Sequence, residues 1–153
     1  QGPGGLFMEQ DRSIIIGSDH AAFELKEKIK TYLTGKGYQV EDAGTTGTAS
    51  VNYVEYGKKV AEAVSQGTFS KGILLCGTGL GMSMVANRYP NVRAALCADI
   101  FSARMSRVHN DANILVLGGR VVGDVLAFEL VQEWLGTAFE GGRHLDRIKS
   151  IDA

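Results

Sequence analysis

The densest chemistry in the chain is "LLCGTGLGMS", residues 74–83, where Cys76 and the glycines Gly77, Gly79 and Gly81 follow directly on an apolar run. Several readings of this loop compete. A phosphate-cradling GxxxxGK[ST] loop needs a lysine, and none follows these glycines. A dinucleotide fingerprint needs GxGxxG in the first βα unit. Here the glycines run GxGxG, with Met82 where the third belongs, after what reads as the third strand. Asp99, ending the next strand, stands at about the right separation for a ribose contact and keeps that reading open. A tight strand-to-helix turn explains one or two glycines by their freedom at positive φ, and three less easily. The remaining reading is a nest of backbone N–H groups at a helix N-terminus, built to hold an anion or a developing oxyanion.

A cysteine closing an apolar strand is most often inert core, and Cys97 in "RAALCAD" reads that way. Cys76 instead precedes a donor-rich loop and a helix start, surroundings that favour a thiolate. A thiolate beside an oxyanion cradle suits removal of a proton next to a carbonyl. Neither CxxC nor His/Cys ligand spacing surrounds the two cysteines. That argues against a disulfide scaffold or a structural zinc, and it suits a reducing cytoplasm. His20, His109 and His144 all sit in polar contexts that read as loops, where a surface residue is the plain expectation. Arg143 and Arg147 lie at i, i+4, so a helix there would form either a guanidinium fork for phosphate or an ordinary solvated face.

The elements that must position these residues alternate along the whole chain. "RSIIIGSD", "YQVEDAG", "KGILLC", "RAALCAD" and "NILVLGG" read as strands. Helices follow in "AAFELKEKIKTYLTGKG", with Leu25, Ile29, Tyr32 and Leu33 on one face, and in residues 53–65, with Val60, Ala61 and Val64 inward. Shorter or longer helices follow in "GMSMVANR", "DIFSARMSRVHND" and "VVGDVLAFELVQEWLG", and a last one after a bend at Gly141 and Gly142. "KGILLC" is apolar throughout, as a strand covered on both faces is, so it belongs near the sheet centre. The expected fold is α/β: a single-domain, doubly wound, Rossmann-like sheet of five parallel strands with helices on both faces. Ligand loops then lie at the C-terminal strand ends: residues 18–20, 76–81, 97–99 and 118–120.

The 153 residues are most simply one domain, residues 13–153. Residues 1–12, with "QGPGGLF" before Met8, resemble a tag or protease-site remnant. A net charge of −1 without a basic stripe points away from nucleic acid and membrane surfaces. No apolar run approaches the roughly 20 residues of a membrane span, and no secretory signal is visible. A cytoplasmic protein is expected.

Taken together, "IIIGSDHAAFELKEKI", "VNYVEYGKKVAEAV", "GILLCGTGLGMSMVANR", "VRAALCAD", "SRVHNDANILVLGGRVVG" and "WLGTAFEGGRHLDRI" resemble ribose-5-phosphate isomerase type B. That family also includes the galactose-6-phosphate isomerase subunits. The motifs run in the family's order from Ser13 to about Ile151. The resemblance implies interconversion of aldose and ketose phosphates through an enediolate, without a metal or other cofactor. It makes Cys76 the base, with Thr78 and the amides of the loop, Gly77, Gly79, Leu80 and Gly81, steadying the enediolate oxygens. It assigns His109, helped by Asp19, to opening the furanose ring. His20, Arg120, Arg143 and Arg147 would hold the phosphate, and Tyr53 and Asn110 the sugar. Asn52 and Val54 depart from the family pattern, in which aspartate and proline are usual. Ribose 5-phosphate is the first-choice substrate. A hexose 6-phosphate of the allose or galactose type is the same-class alternative, and a non-catalytic dinucleotide-binding module the reading from another class.

Topology adds one requirement. Cys76 ends a strand, whereas His109 lies near the far end of a helix that runs back antiparallel to the strands, about 15 Å away toward the opposite edge. A two-fold homodimer with shared sites, or a dimer of such dimers, brings both residues to one sugar.

Overall fold

The computed structural model describes residues 12–153. The expected tag remnant falls outside the described residues except for Arg12, whose carbonyl accepts from the Gln39 amide (2.7 Å). Five parallel strands form one sheet: β1 Ser13–Ser18, β2 Gln39–Asp42, β3 Lys71–Cys76, β4 Ala94–Leu96 and β5 Ile114–Gly118. Six helices connect and flank them: α1 Phe23–Gly35, α2 Tyr53–Ser65, α3 Leu80–Ala86, α4 Ile100–Val108, α5 Asp124–Gly136 and α6 Arg143–Asp152. The order across the sheet is β2-β1-β3-β5-β4, so β3 is central, as its uniformly apolar sequence requires.

The sheet is covered on both faces. Ile14, Ile16, Ile73, Leu75, Leu115 and Leu117 point into a core with Leu25, Ile29 and Leu33 of α1 and the buried face of α5. Alternate residues of the same strands, among them Ile15, Leu74 and Val116, pack with Val60, Ala61 and Val64 of α2 and with Met82 of α3. This alternation follows from the period-2 geometry of a strand. Side-chain caps start three of the helical segments. Asp19 Oδ1 accepts from the Ala22 amide (3.2 Å), Asn52 Oδ1 from Val54 (3.0 Å) and Asp99 Oδ1 from Ser102 (2.7 Å).

Two sequence expectations need adjustment. Cys97 lies one residue beyond the short strand β4, although its amide still donates to Val116 O (3.2 Å). None of the three histidines is an ordinary loop residue. His20 opens a 3-10 turn, His109 caps the C-terminus of α4, and His144 is buried in the first turn of α6.

Candidate active site

The strand order changes direction between β1 and β3, and a doubly wound sheet opens a crevice at the carboxyl ends of such a pair. Ser18 and Asp19 leave β1 there, and Cys76 leaves β3. The Asp19 amide donates to Leu75 O (3.2 Å), which joins the two ends. His20 Nδ1 accepts from the Val51 amide (3.1 Å), and this brings the segment leading to Tyr53 toward the same crevice.

Cys76 is 6 % exposed, with its Sγ accepting from the Gly79 amide (3.2 Å). Gly79 has φ +83, a left-handed conformation, and a Cβ there would lie 2.5 Å from Leu96. At Gly81 a Cβ would collide with the Tyr53 ring, 2.5 Å away. At Gly77 it would meet only Arg120 at 3.6 Å, an ordinary contact. Packing therefore explains two of the three glycines, and the fold places no such demand on Gly77. The loop's amides are not all available to a ligand. Gly79 donates to Sγ and Leu80 to Thr78 Oγ1 (3.2 Å), which narrows the expected cradle of N–H groups in the unbound chain.

The strand-end loop of β5 completes this edge. Gly119 N–H donates to Cys76 O (2.8 Å) and Arg120 N–H to Gly77 O (2.9 Å). Cys76, Gly77, Thr78, Gly79, Leu80, Gly81, Asp19, His20, Tyr53 and Arg120 thus share the C-terminal edge. Cys97 is core: burial, and after it the charge of Asp99, pushes its thiol up to about 11.

His109, Asn110, Arg143 and Arg147 lie at the other edge. Cys76 pairs in register with Gly118 at the end of β5, while His109 precedes Ile114 at its start. Those ends are about 13 Å apart at 3.3 Å per residue. His109 and Asn110 are exposed, as are Arg143 and Arg147, and neither of these arginines makes an ion pair among the described residues. The His109 ring stacks on that of His144, with centroids 4.5 Å apart. Two arginines that the sequence reading passed over hold this edge. Arg93 Nε donates to Asn110 O (3.0 Å) and its Nη1 to Asp152 at the end of α6 (2.7 Å). Arg107 Nη1 donates to Asp111 Oδ1 (2.7 Å) and its Nε to Thr137 O (3.1 Å). Arg93 to Asp152 and Arg107 to Thr137 join segments far apart in sequence, whereas the Arg107–Asp111 pair at i, i+4 is a local signal that could have found Arg107.

Among the described residues no group of three or more His, Cys, Asp or Glu side chains is arranged to hold a metal ion. No helix among them is long and apolar enough to cross a membrane.

Residues 14–151 match the family model described as Ribose/Galactose Isomerase. The chain is 44% identical over 142 residues to ribose-5-phosphate isomerase B of Escherichia coli, covering 93% of this chain and 95% of that protein. A ribose-5-phosphate isomerase B structure from Clostridium thermocellum superposes with a TM-score of 0.90 at 53% identity, covering 92% of this chain and 95% of that one. One from Thermotoga maritima gives 0.89 at 58%, covering 92% and 97%. A strand-end cysteine in a glycine loop and an alternating α/β fold matched over nearly its whole length thus lead to one conclusion: the chain belongs to the ribose/galactose isomerase family and is a sugar-phosphate aldose–ketose isomerase.

Proposed function

We propose that the substrate pair is ribose 5-phosphate and ribulose 5-phosphate, and that Cys76 is the base. The observation that carries this reading is the Cys76 thiol at the sheet's switch point, held by the Gly79 amide with Gly77 and Thr78 beside it. Isomerisation moves a proton between C2 of the aldose and C1 of the ketose, while negative charge passes through the enediolate oxygens. A single base next to both carbons and donors on both oxygens suffice, without a metal. Thr78 and the amides of Gly77 and Gly81 supply the donors that the loop's own hydrogen bonds leave over. Tyr53, against Gly81, borders the sugar.

Ring opening needs a proton delivered to the ring oxygen as its bond to C1 breaks, and removal of the C1 hydroxyl proton. His109, with Asp19, takes this part. The two residues occupy opposite edges of one sheet, so the reading includes a homodimer in which one subunit's Cys76 edge faces its partner's His109 edge. His20 and Arg120 reach the phosphate from the first chain, and the Arg143–Arg147 fork reaches it from the second, beside Asn110.

A coupled assay over ribose 5-phosphate, ribulose 5-phosphate and the 6-phosphates of allose and galactose tests the assignment. The pentose pair should have the highest kcat/KM. Cys76→Ala should lower kcat at least ~10²-fold with little change in binding, the usual scale for loss of a general base, and Cys97→Ala should remain active. A hexose phosphate turned over faster than the pentose would replace the substrate, and an active Cys76→Ala would remove the base.

A further inference from the structure

His144 has no role in the mechanism above, yet it is a buried titratable side chain wedged between its two principal parts. It lies on α6 between Arg143 and Arg147, and the helix turns those arginines to solvent while His144 and Ile148 face inward. Its ring backs the exposed ring of His109, centroids 4.5 Å apart and planes inclined by 26°. Behind it, His144 Nε2 lies 3.0 Å from Glu140 Oε1. An ionised carboxylate only accepts, so Nε2 carries the proton of this bond and the plane of the His144 ring is set by Glu140. Glu140 is itself anchored next to His109, because its amide donates to the Val108 carbonyl (3.2 Å).

We propose that His144 is a positioning residue that holds the His109 imidazole in its ring-opening orientation, and that Glu140 fixes His144 for that purpose. The inference rests on the ring-opening role given to His109 above. An exposed imidazole at a helix C-terminus has no other restraint on its side-chain rotation among the described contacts, and the stacked ring supplies one. The same arrangement makes α6 a common support for His109 and the phosphate fork. A phosphate held by Arg143 and Arg147 is thereby held in register with the group that opens its sugar.

Substrate chemistry separates this role from a merely structural one. Ribose 5-phosphate is a cyclic hemiacetal and must open before its C2 proton can move. Ribulose 5-phosphate cannot close a furanose, because its 5-oxygen carries the phosphate, so exchange of its C1 proton requires the base but no ring opening. Two measurements follow: turnover of ribose 5-phosphate, and deuterium wash-in at C1 of ribulose 5-phosphate in heavy water. His144→Ala and Glu140→Ala should slow the first about tenfold or more, the scale of a misplaced catalytic group. Wash-in should change by less than about threefold. His144→Phe keeps a ring to stack on and should recover part of the loss. Glu140 is largely exposed, so its replacement tests the idea even if His144→Ala fails to fold. Equal loss of both activities, or unchanged ribose 5-phosphate turnover in Glu140→Ala and in a folded His144→Ala, would overturn the proposal. Absence of both ribose 5-phosphate turnover and wash-in in the unaltered enzyme would instead strike the proposed substrate and base, and this role with them.

Discussion

The two edges of the sheet are built by different means. At the C-terminal edge the backbone holds itself: Cys76 O, Gly77 O and Cys76 Sγ accept from the amides of Gly119, Arg120 and Gly79. At the N-terminal edge side chains add to the main-chain bonds, with Arg93 and Arg107 bonding the carbonyls of Asn110, Asp111, Ala112 and Thr137. Asp111 sits between them at φ +46, a strained conformation for a residue with a side chain, and its carboxylate accepts from Arg107. Main-chain bonds and close glycine contacts fix the Cys76 edge. Guanidinium forks gather segments distant in sequence at the edge that presents His109, Arg143 and Arg147. One edge is an exact fit around a thiol; the other is an assembly of parts.

The largest test of that division is to place its halves in separate chains. Cys76→Ala and His109→Ala should each be nearly inactive alone. After the two are unfolded together in equal amounts and refolded, random pairing makes about half the dimers mixed, and each mixed dimer has one intact site of two under isologous pairing. About a quarter of the unaltered activity should return. No recovery despite confirmed subunit exchange would mean that the edges do not meet across an interface.

Within the Cys76 edge, two glycines sharpen the contrast between packing and chemistry. A Cβ at Gly118 would lie 2.5 Å from the Thr78 carbonyl oxygen, which is backbone and cannot step aside. Gly118→Ala should cost about 1–3 kcal/mol, as for an overpacked core, and lower Tm by about 2–4 °C for each of those kcal/mol. Gly77→Ala meets only an ordinary contact and should melt within about a degree or two of the unaltered protein on the same scale. It should nonetheless lose turnover, because in the proposed site the added methyl group would crowd the sugar. Equal melting temperatures for the two variants would show that the loop yields freely and that the edge is not rigid.

The edges also differed in how far they could be read from sequence. The five strands, the central place of "KGILLC", the helix at residues 53–65 and the loop around Cys76 all follow from local signals: periodicity, glycine punctuation and Asp or Asn caps. The resemblance to a family supplied the roles of the remaining residues, and spacing alone left Arg143 and Arg147 undecided between a phosphate fork and a solvated face. Arg93, the Arg107–Thr137 bond and the His144–His109 stack escaped notice because tertiary packing creates them, while the i, i+4 pairs Arg107–Asp111 and Glu140–His144 were legible spacings whose significance depends on that packing. Arg93 reaches a carboxylate 59 residues away, and His144 meets a ring 35 positions earlier. A histidine in "GGRHLDR" reads as polar surface until its helix is docked.

The smallest expected effect on turnover lies where a half-buried carboxylate supports the Cys76 edge from behind. Asp42 ends β2 and accepts from Lys26 (2.6 Å), from Lys30 (2.7 Å) and from the Gly44 amide (2.8 Å). Gly44 O in turn accepts from Ser18 N–H (2.7 Å), and Thr45 N–H donates to Ser18 O (2.9 Å), so Asp42 steadies the turn beside Asp19. Burial raises the Asp42 carboxyl, but the hydrogen bonds from Lys26, Lys30 and Gly44 outweigh it and hold the group below its ordinary value. The sign follows by linkage. A carboxyl depressed on folding contributes stability that is fully present above its unfolded value, about 3.9, and is lost as pH falls through the lower folded value. Asp42→Asn should therefore be less stable than the unaltered protein at neutral pH by about 1–3 kcal/mol, the range for hydrogen bonds to charged groups. That gap should close as denaturation is repeated from about pH 5 down to about pH 2. Kinetics at neutral pH should show the Cys76 edge loosening slightly, as a higher KM for ribose 5-phosphate. A gap that stayed constant through the acid range would mean that Asp42 acts through shape alone, and that this edge, unlike its opposite, is held without any ionic support.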